Sequence, residues 1–192
     1  MRAFIVVSNT GVTAPIFDIR SLASTSGRLD LICRSLIASL LTPKGLRKDT
    51  TFFAILKGPP NPPLTIIARG SKIDTLPIDE VSIAKIIKRV MSREHIRGFE
   101  VKRKDLKYVL NILSKSKYKL IYLREDGENI ENIEFYEDTN YAFILGDQKG
   151  LSRADEKLLD KYGANIVSLG RVPYMTSFCI SVINYVLDMR IY

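Results

Sequence analysis

The apolar positions fall into short buried runs and longer amphipathic ones. Phe4–Val7, Thr51–Leu56, Leu64–Ala68, Leu120–Leu123, Tyr141–Leu145 and Asn165–Leu169 are brief and rich in β-branched and aromatic residues. Each reads as a strand. Between them the period becomes helical. Leu29, Ile32, Cys33, Leu36, Ile37 and Leu40 share one face, which ends at Pro43 and Gly45. Ile83, Ile86, Ile87 and Val90 predict a second helix, and Leu106, Val109, Leu110 and Leu113 a third. A fourth runs from Ser152 to Tyr162 with Gly163 as its stop. In the last, Met175, Phe178, Cys179, Val182, Ile183, Val186 and Leu187 form the predicted inner stripe, while Ile180 and Tyr185 add apolar surface beyond it. Gly127-Glu128-Asn129 predicts a turn. The four prolines of Gly58–Pro63 exclude helix and central strand and predict a loop between antiparallel neighbours. Strands alternate with helices over most of the chain. The pattern predicts a single α/β domain, with a mostly parallel sheet covered by helices on both faces.

The length of 192 residues suits one domain with a real core. No apolar run reaches the roughly 18 residues a membrane helix needs. The first residues enter a strand pattern directly, without a signal-peptide cleavage pattern. Cys33 and Cys179 lie on apolar helix faces and read as reduced thiols, which predicts a cytoplasmic protein. With His95 the one histidine, a zinc site of Cys and His is not expected. There is no GxxxxGK[ST] loop, no GxGxxG and no Ser-His-Asp set, so P-loop, dinucleotide and triad-hydrolase chemistry lose support.

Charge narrows the partners. The formal net charge is +8. Lys85 to Lys107 holds nine Lys or Arg against three acids, whereas Glu125 to Asp138 holds seven acids and no base. The basic stretch fits a nucleic-acid surface or a solvated helix face. Two strands end in glycine loops, Gly146–Gly150 and Gly170–Pro173, and ligands of open α/β sheets sit beyond such strand ends. Gly146 and Gly170 therefore line one predicted crevice or simply make turns.

The segments FILGDQKGL (143–151), VSLGRVPY (167–174) and FCISVINYVLD (178–188) resemble the cofactor end of SPOUT-class RNA methyltransferases. With SGRLDLICR (26–34), GPPNPP (58–63) and the Tyr122-Leu123 strand end, the chain resembles the archaeal tRNA pseudouridine-54 N1-methyltransferase family over nearly its full length. The resemblance implies a C-terminal trefoil knot, S-adenosyl-L-methionine as cofactor, tRNA as substrate, a homodimer, and no metal. It implies a cofactor region over 118–192, with Leu123, Gly146, Leu169, Gly170, Arg171, Val172, Pro173, Tyr174 and Cys179 at the cofactor, and an acceptor side over 1–117. Leu123 and Cys179 are expected to pack against the core as well. Gln148 and the Gly170-Arg171 pair depart from the family's usual loops, which removes any role for a loop histidine there.

On the acceptor side, Asp30 and Arg34 stand i, i+4 on a helix, a spacing that also suits a plain surface pair. Leaning on the resemblance, Arg28 and Arg34 are assigned to RNA phosphates, Asn9 to the acceptor, and Asp30 and Asp147 to proton handling. A ribosomal-RNA or ribose 2′-O methyltransferase of the same class and a catalytically silent RNA-binding module are the alternatives.

Overall fold

Arg2–Ser8 forms strand β1, and all of its residues are buried, as expected of a strand covered on both faces. The computed structural model describes residues 1–191. After β1 come a short helix α1 (Leu22–Thr25), helix α2 (Leu29–Leu40), a small hairpin of β2 (Leu41–Thr42) and β3 (Gly45–Leu46), then β4 (Thr50–Leu56) and β5 (Leu64–Arg69). Helix α3 (Glu80–Met91), strand β6 (Phe99–Lys102), helix α4 (Leu106–Lys115) and strand β7 (Tyr118–Asn129) follow. A 3-10 turn at Ile130–Asn132, strand β8 (Asn140–Gly146), helix α5 (Arg153–Lys161), strand β9 (Asn165–Ser168) and helix α6 (Thr176–Ile191) complete the described chain.

The main sheet has seven strands in the order β6-β5-β4-β1-β8-β7-β9. From β4 to β9 every neighbour is parallel; β5 and β6 add two antiparallel pairings at one edge. Phe4 and Val6 face a core shared with α2, α3 and α6, while Ala3, Ile5 and Val7 face one shared with α4 and α5. Helices thus cover both faces, and the proline loop joins antiparallel β4 and β5, as the sequence predicts.

Local chemistry explains several boundaries. Asp79 and Asp105 cap α3 and α4 by accepting the Ser82 and Tyr108 amides at 2.8 and 3.0 Å. Ser152 and Asp155 form a capping box on α5, and Gly163 ends it at φ +69°. Helix α2 starts without a cap from Arg28; instead the buried Ser26 hydroxyl accepts the Leu29 amide at 2.9 Å.

One strand was not anticipated and two expectations need correction. Phe99–Lys102, inside the basic stretch, is an edge strand. The expected turn at Gly127-Glu128-Asn129 lies within β7, which re-pairs with β9 after a register shift between Leu123 and Glu128. A Cβ on Gly127 would come 2.6 Å from the Val167 nitrogen, so only glycine fits this crossing. Of the stripe predicted for the last helix, Ile183 and Leu187 are buried and Cys179 and Val186 pack against the core, but Met175, Phe178 and Val182 are exposed, and Ile180 and Asn184 complete the inner face of α6. The helix is apolar nearly all round, and periodicity could not choose its inner side.

Helix α6 is tied to the start of the sheet by a partly buried network. Arg2 reaches Asp49 (3.2 Å), Asn184 (2.9 Å) and Asp188 (3.0 Å), and Arg47 also binds Asp188. Asn184 donates to the Ala38 carbonyl at 3.0 Å, locking α6 onto α2.

Candidate active site

Strands β1, β8, β7 and β9 run parallel, so their carboxyl ends share one edge of the sheet. A cleft of about 450 Å³ opens there, a volume that suits a small-molecule site. Its floor is the strand ends, Tyr122, Leu123, Leu145 and Gly146. Arg28, Leu31 and Arg34 of the α2 segment make one wall, and Pro173, Tyr174 and Cys179 make the other. A smaller cleft of about 70 Å³ shares Leu123, Pro173, Tyr174 and Cys179 and adds Leu169, Gly170 and Val172. Of the cofactor residues implied by resemblance, only Arg171 lines neither opening; its side chain is exposed. Leu123, Leu169 and Cys179 also pack against the core. Burial pushes the Cys179 thiol up from its ordinary range.

The two glycines do different work. A Cβ on Gly146 would lie 2.6 Å from the Gly150 backbone, so Gly146 lets its own loop close. Gly170 has φ +117°, and a Cβ there would meet nothing within 4 Å. It leaves open space beside the cleft and keeps a backbone shape that other residues resist. The buried Ser168 hydroxyl holds that shape, accepting the Gly170 amide at 3.0 Å and donating to the Gly170 carbonyl at 3.1 Å.

On the α2 wall, Asp30 is buried and receives Arg28 Nε and Nη2 at 2.9 and 3.0 Å and Arg34 Nη2 at 2.9 Å. Arg34 also reaches Glu80 at 3.1 Å. Burial works to raise the Asp30 carboxyl, but the bonds from the two arginines outweigh it and hold it below the usual carboxylate range. Asp30 itself is not among the residues lining the cleft; the arginines it holds are. Arg28 and Gly27 both adopt positive φ, and a Cβ on Gly27 would lie 1.9 Å from the Thr10 carbonyl oxygen. The arginine wall is therefore pressed onto the loop after β1.

Asp147 lines the cleft and is buried. Its carboxylate accepts the Asn9 amide at 2.7 Å, Asn9 Nδ2 at 3.3 Å and the Lys149 amide at 2.9 Å. Asn9 donates as well to the Gly150 carbonyl at 2.9 Å, so it braces the loop from behind and is not among the lining residues. Arg124, Glu125, Thr176 and Ser177 line the cleft and were not singled out from sequence. The signal was there: Arg124-Glu125 directly follows a buried strand end, and Thr176-Ser177 is a polar pair opening an apolar helix. Thr176 donates to the Gly146 carbonyl at 2.9 Å, joining α6 to β8 at the cleft floor. Among the described residues no group of three or more His, Cys, Asp or Glu could hold a metal ion, and no helix is long and apolar enough to cross a membrane.

The cleft sets apolar strand ends beside five charged side chains, those of Arg28, Arg34, Arg124, Glu125 and Asp147. The family model described as "Putative SAM-dependent RNA methyltransferase" matches residues 1–191. The tRNA (pseudouridine(54)-N(1))-methyltransferase of Methanocella arvoryzae is 36% identical, with 99% of this chain and 100% of that protein covered. The protein of the same name from Thermococcus kodakarensis is 40% identical, with 98% and 99% covered. In fold, the chain is similar to Archaeoglobus fulgidus Nep1 bound to S-adenosylhomocysteine, with a TM-score of 0.67 at 15% identity and 99% of each chain covered. The chain belongs to the tRNA (pseudouridine(54)-N(1))-methyltransferase family of SAM-dependent RNA methyltransferases.

Proposed function

We propose that this protein methylates N1 of pseudouridine 54 in tRNA, with S-adenosyl-L-methionine as methyl donor. One observation carries the reading: a single cleft joins the loops of the 118–192 region to the arginine wall of the 1–117 region. The bound cofactor supplies a methyl group activated by its sulfonium. The chain must then place the acceptor nitrogen in line with that methyl and take its proton as the N–C bond forms. Asp147 is the proton acceptor in this reading, because it is the carboxylate that both lines the cleft and is fixed by Asn9 and Lys149. Asp30 is a positioning residue, since both its oxygens are occupied by Arg28 and Arg34. Those two guanidiniums, oriented by Asp30 and Glu80, hold the phosphates flanking the target base.

The C-terminal segment forms the trefoil knot of the SPOUT class in this proposal. The close passage of β7 at Gly127 against the backbone of β9 supports it, as do the bonds from Arg190 of α6 to the Ile130 and Ile133 carbonyls just after β7. The protein works as a homodimer joined through α6. Support comes from Phe178, Tyr185 and Met189, which are 53%, 65% and 68% exposed on that helix. A cytoplasmic location fits the free thiols of Cys33 and Cys179.

The test is transfer of labelled methyl from S-adenosylmethionine to two tRNA transcripts, one with uridine and one with pseudouridine at position 54. Label is expected only in the second, on the base. Label in the uridine transcript, or on a ribose, refutes the assignment.

A further inference from the structure

A second opening lies away from the cofactor cleft. It encloses about 510 Å³ between the end of α3 and the edge strand β6. Arg93, His95, Lys102 and Arg103 border it, with Thr13 from a facing loop. Two carboxylates border it too, and both are already matched: Glu94 by Arg89, and Glu100 by Arg69 and Lys102. Among the described residues, Arg103 donates only to the carbonyl oxygens of Asn61 and Thr13. Among the described residues neither Arg93 nor Arg103 is paired with a carboxylate. The groove therefore carries uncompensated positive charge, which favours a polyanion. The basic surface continues past Arg103 to Lys104, whose Nζ lies 5.5 Å from the centre of the Tyr108 ring.

The groove and the cofactor cleft are joined by one short loop. Asn9 bonds Asp147 at the cleft, and Thr13 borders the groove. Four peptide steps separate them, a reach of at most about 14 Å. The loop is braced along its length: the Gly58 amide donates to the Gly11 carbonyl at 2.9 Å, the Thr13 amide to the Pro59 carbonyl at 2.8 Å, and Thr13 Oγ1 to the Gly58 carbonyl at 3.1 Å. A polymer with one base in the cleft would have its neighbouring residues within range of the groove.

We propose that the α3–β6 groove binds the sugar–phosphate backbone of the RNA acceptor beside the target nucleotide, with Arg93, Lys102 and Arg103 contacting phosphates. The proposal rests on the tRNA reading above and adds a second anchor to the arginine wall of the cleft. The experiment measures tRNA affinity by fluorescence anisotropy from 50 to about 300 mM salt, for wild type and for the double variant Arg93→Gln/Lys102→Gln. Arg103→Gln is measured separately, because Arg103 also braces two loops. Each lost phosphate contact should flatten the salt slope by about 0.7–0.9, so the double variant loses about 15- to 30-fold in affinity at 0.15 M salt. Calorimetric cofactor affinity, measured alongside, should match wild type and certifies the fold. A double variant with the wild-type salt slope overturns the groove, whatever its affinity. Methyl transfer by wild type to the same tRNA is scored in parallel. Its failure would sink the enzymatic reading, while a flattened slope would still assign the groove to RNA.

Discussion

Replacing Gly170 by Ala separates backbone shape from crowding at the cofactor cleft. A Cβ at this position meets no atom within 4 Å, so sterics contribute nothing. The cost comes from φ +117°, where a non-glycine residue is held at about 1–3 kcal/mol. The loop then has two choices. It can keep its shape, in which case the domain loses that much stability. Or it can relax, breaking the two Ser168 bonds, each worth about 1 kcal/mol, and deforming the small cleft beside Leu123 and Cys179. In the second case the cofactor must restore the shape on binding, and its Kd rises about 5- to 150-fold. Gly163→Ala is the control. Gly163 also has positive φ and open space around a Cβ, yet it ends α5 and lines neither cleft. It should lower Tm by about 2–4 °C for each kcal/mol and leave cofactor affinity alone. Calorimetric titration with S-adenosylhomocysteine and thermal unfolding of both variants decide the matter. A lowered Tm with cofactor binding within twofold of wild type selects the first choice; fast hydrogen exchange of the residue-170 amide, which marks the relaxed loop, together with cofactor binding still within twofold of wild type would refute the placement of the cofactor at this loop.

Other changes should fail in other ways. Asp30→Asn frees Arg28 and Arg34, and with both arginines partly solvated the stability cost is about 1–2 kcal/mol. Cofactor affinity should hold while the KM for tRNA rises several-fold; a loss confined to kcat would make Asp30 the proton acceptor instead. Phe178→Glu with Tyr185→Glu places charge on the exposed face of α6 and should yield monomers by light scattering, whereas an unchanged mass would move the interface elsewhere. At Asp188, burial works to raise the carboxyl, and the bonds from Arg47 and Arg2 outweigh it and hold it low. A carboxyl depressed on folding adds stability above its unfolded value near ~3.9 and loses it as pH falls through the folded value. Asp188→Asn should therefore lower Tm by about 2–4 °C at pH 7, about 1 kcal/mol after solvent screening, with the gap to wild type closing below about pH 3. A gap independent of pH would mean the lost contact is not ionic.

What could be read ahead of the structure was local chemistry. Ser152 and Gly163 bound α5 through caps that depend on a few neighbours, and the face of α2 follows from spacing alone. Strand β6 was hidden because only Phe99 in it is buried and charges surround it. The length of β7 was hidden because its second half is acidic and pairs with β9, whose residues lie about forty positions later in the chain. At the site, the loops after β8 and β9 were legible as glycine breaks following apolar runs. The clamp on Asp30 was only half legible: Arg34 stands one helical turn away, but Arg28 reaches it through a left-handed backbone, and Glu80 comes from another helix. Glu125 reads only as the start of the acidic stretch, Arg124 was not singled out, and the sheet brings both to the cleft.

The central place of β1 has a consequence during synthesis. Its residues from Ala3 to Val7 are wholly shielded in the finished protein, yet its partner β8 begins pairing with it only at Tyr141, 139 residues after Arg2 (141 − 2). At a ribosomal rate of about 5–20 residues per second, one edge of this strand waits roughly 7–28 s for its neighbour. During that wait Phe4-Ile5-Val6-Val7 is a short uncharged segment of high β-propensity with a row of free backbone donors and acceptors. The nascent chain thus exposes an adhesive strand long before it makes the strand that covers it. Soluble yield should respond to translation speed and to chaperone supply more than the stability of the folded domain would suggest.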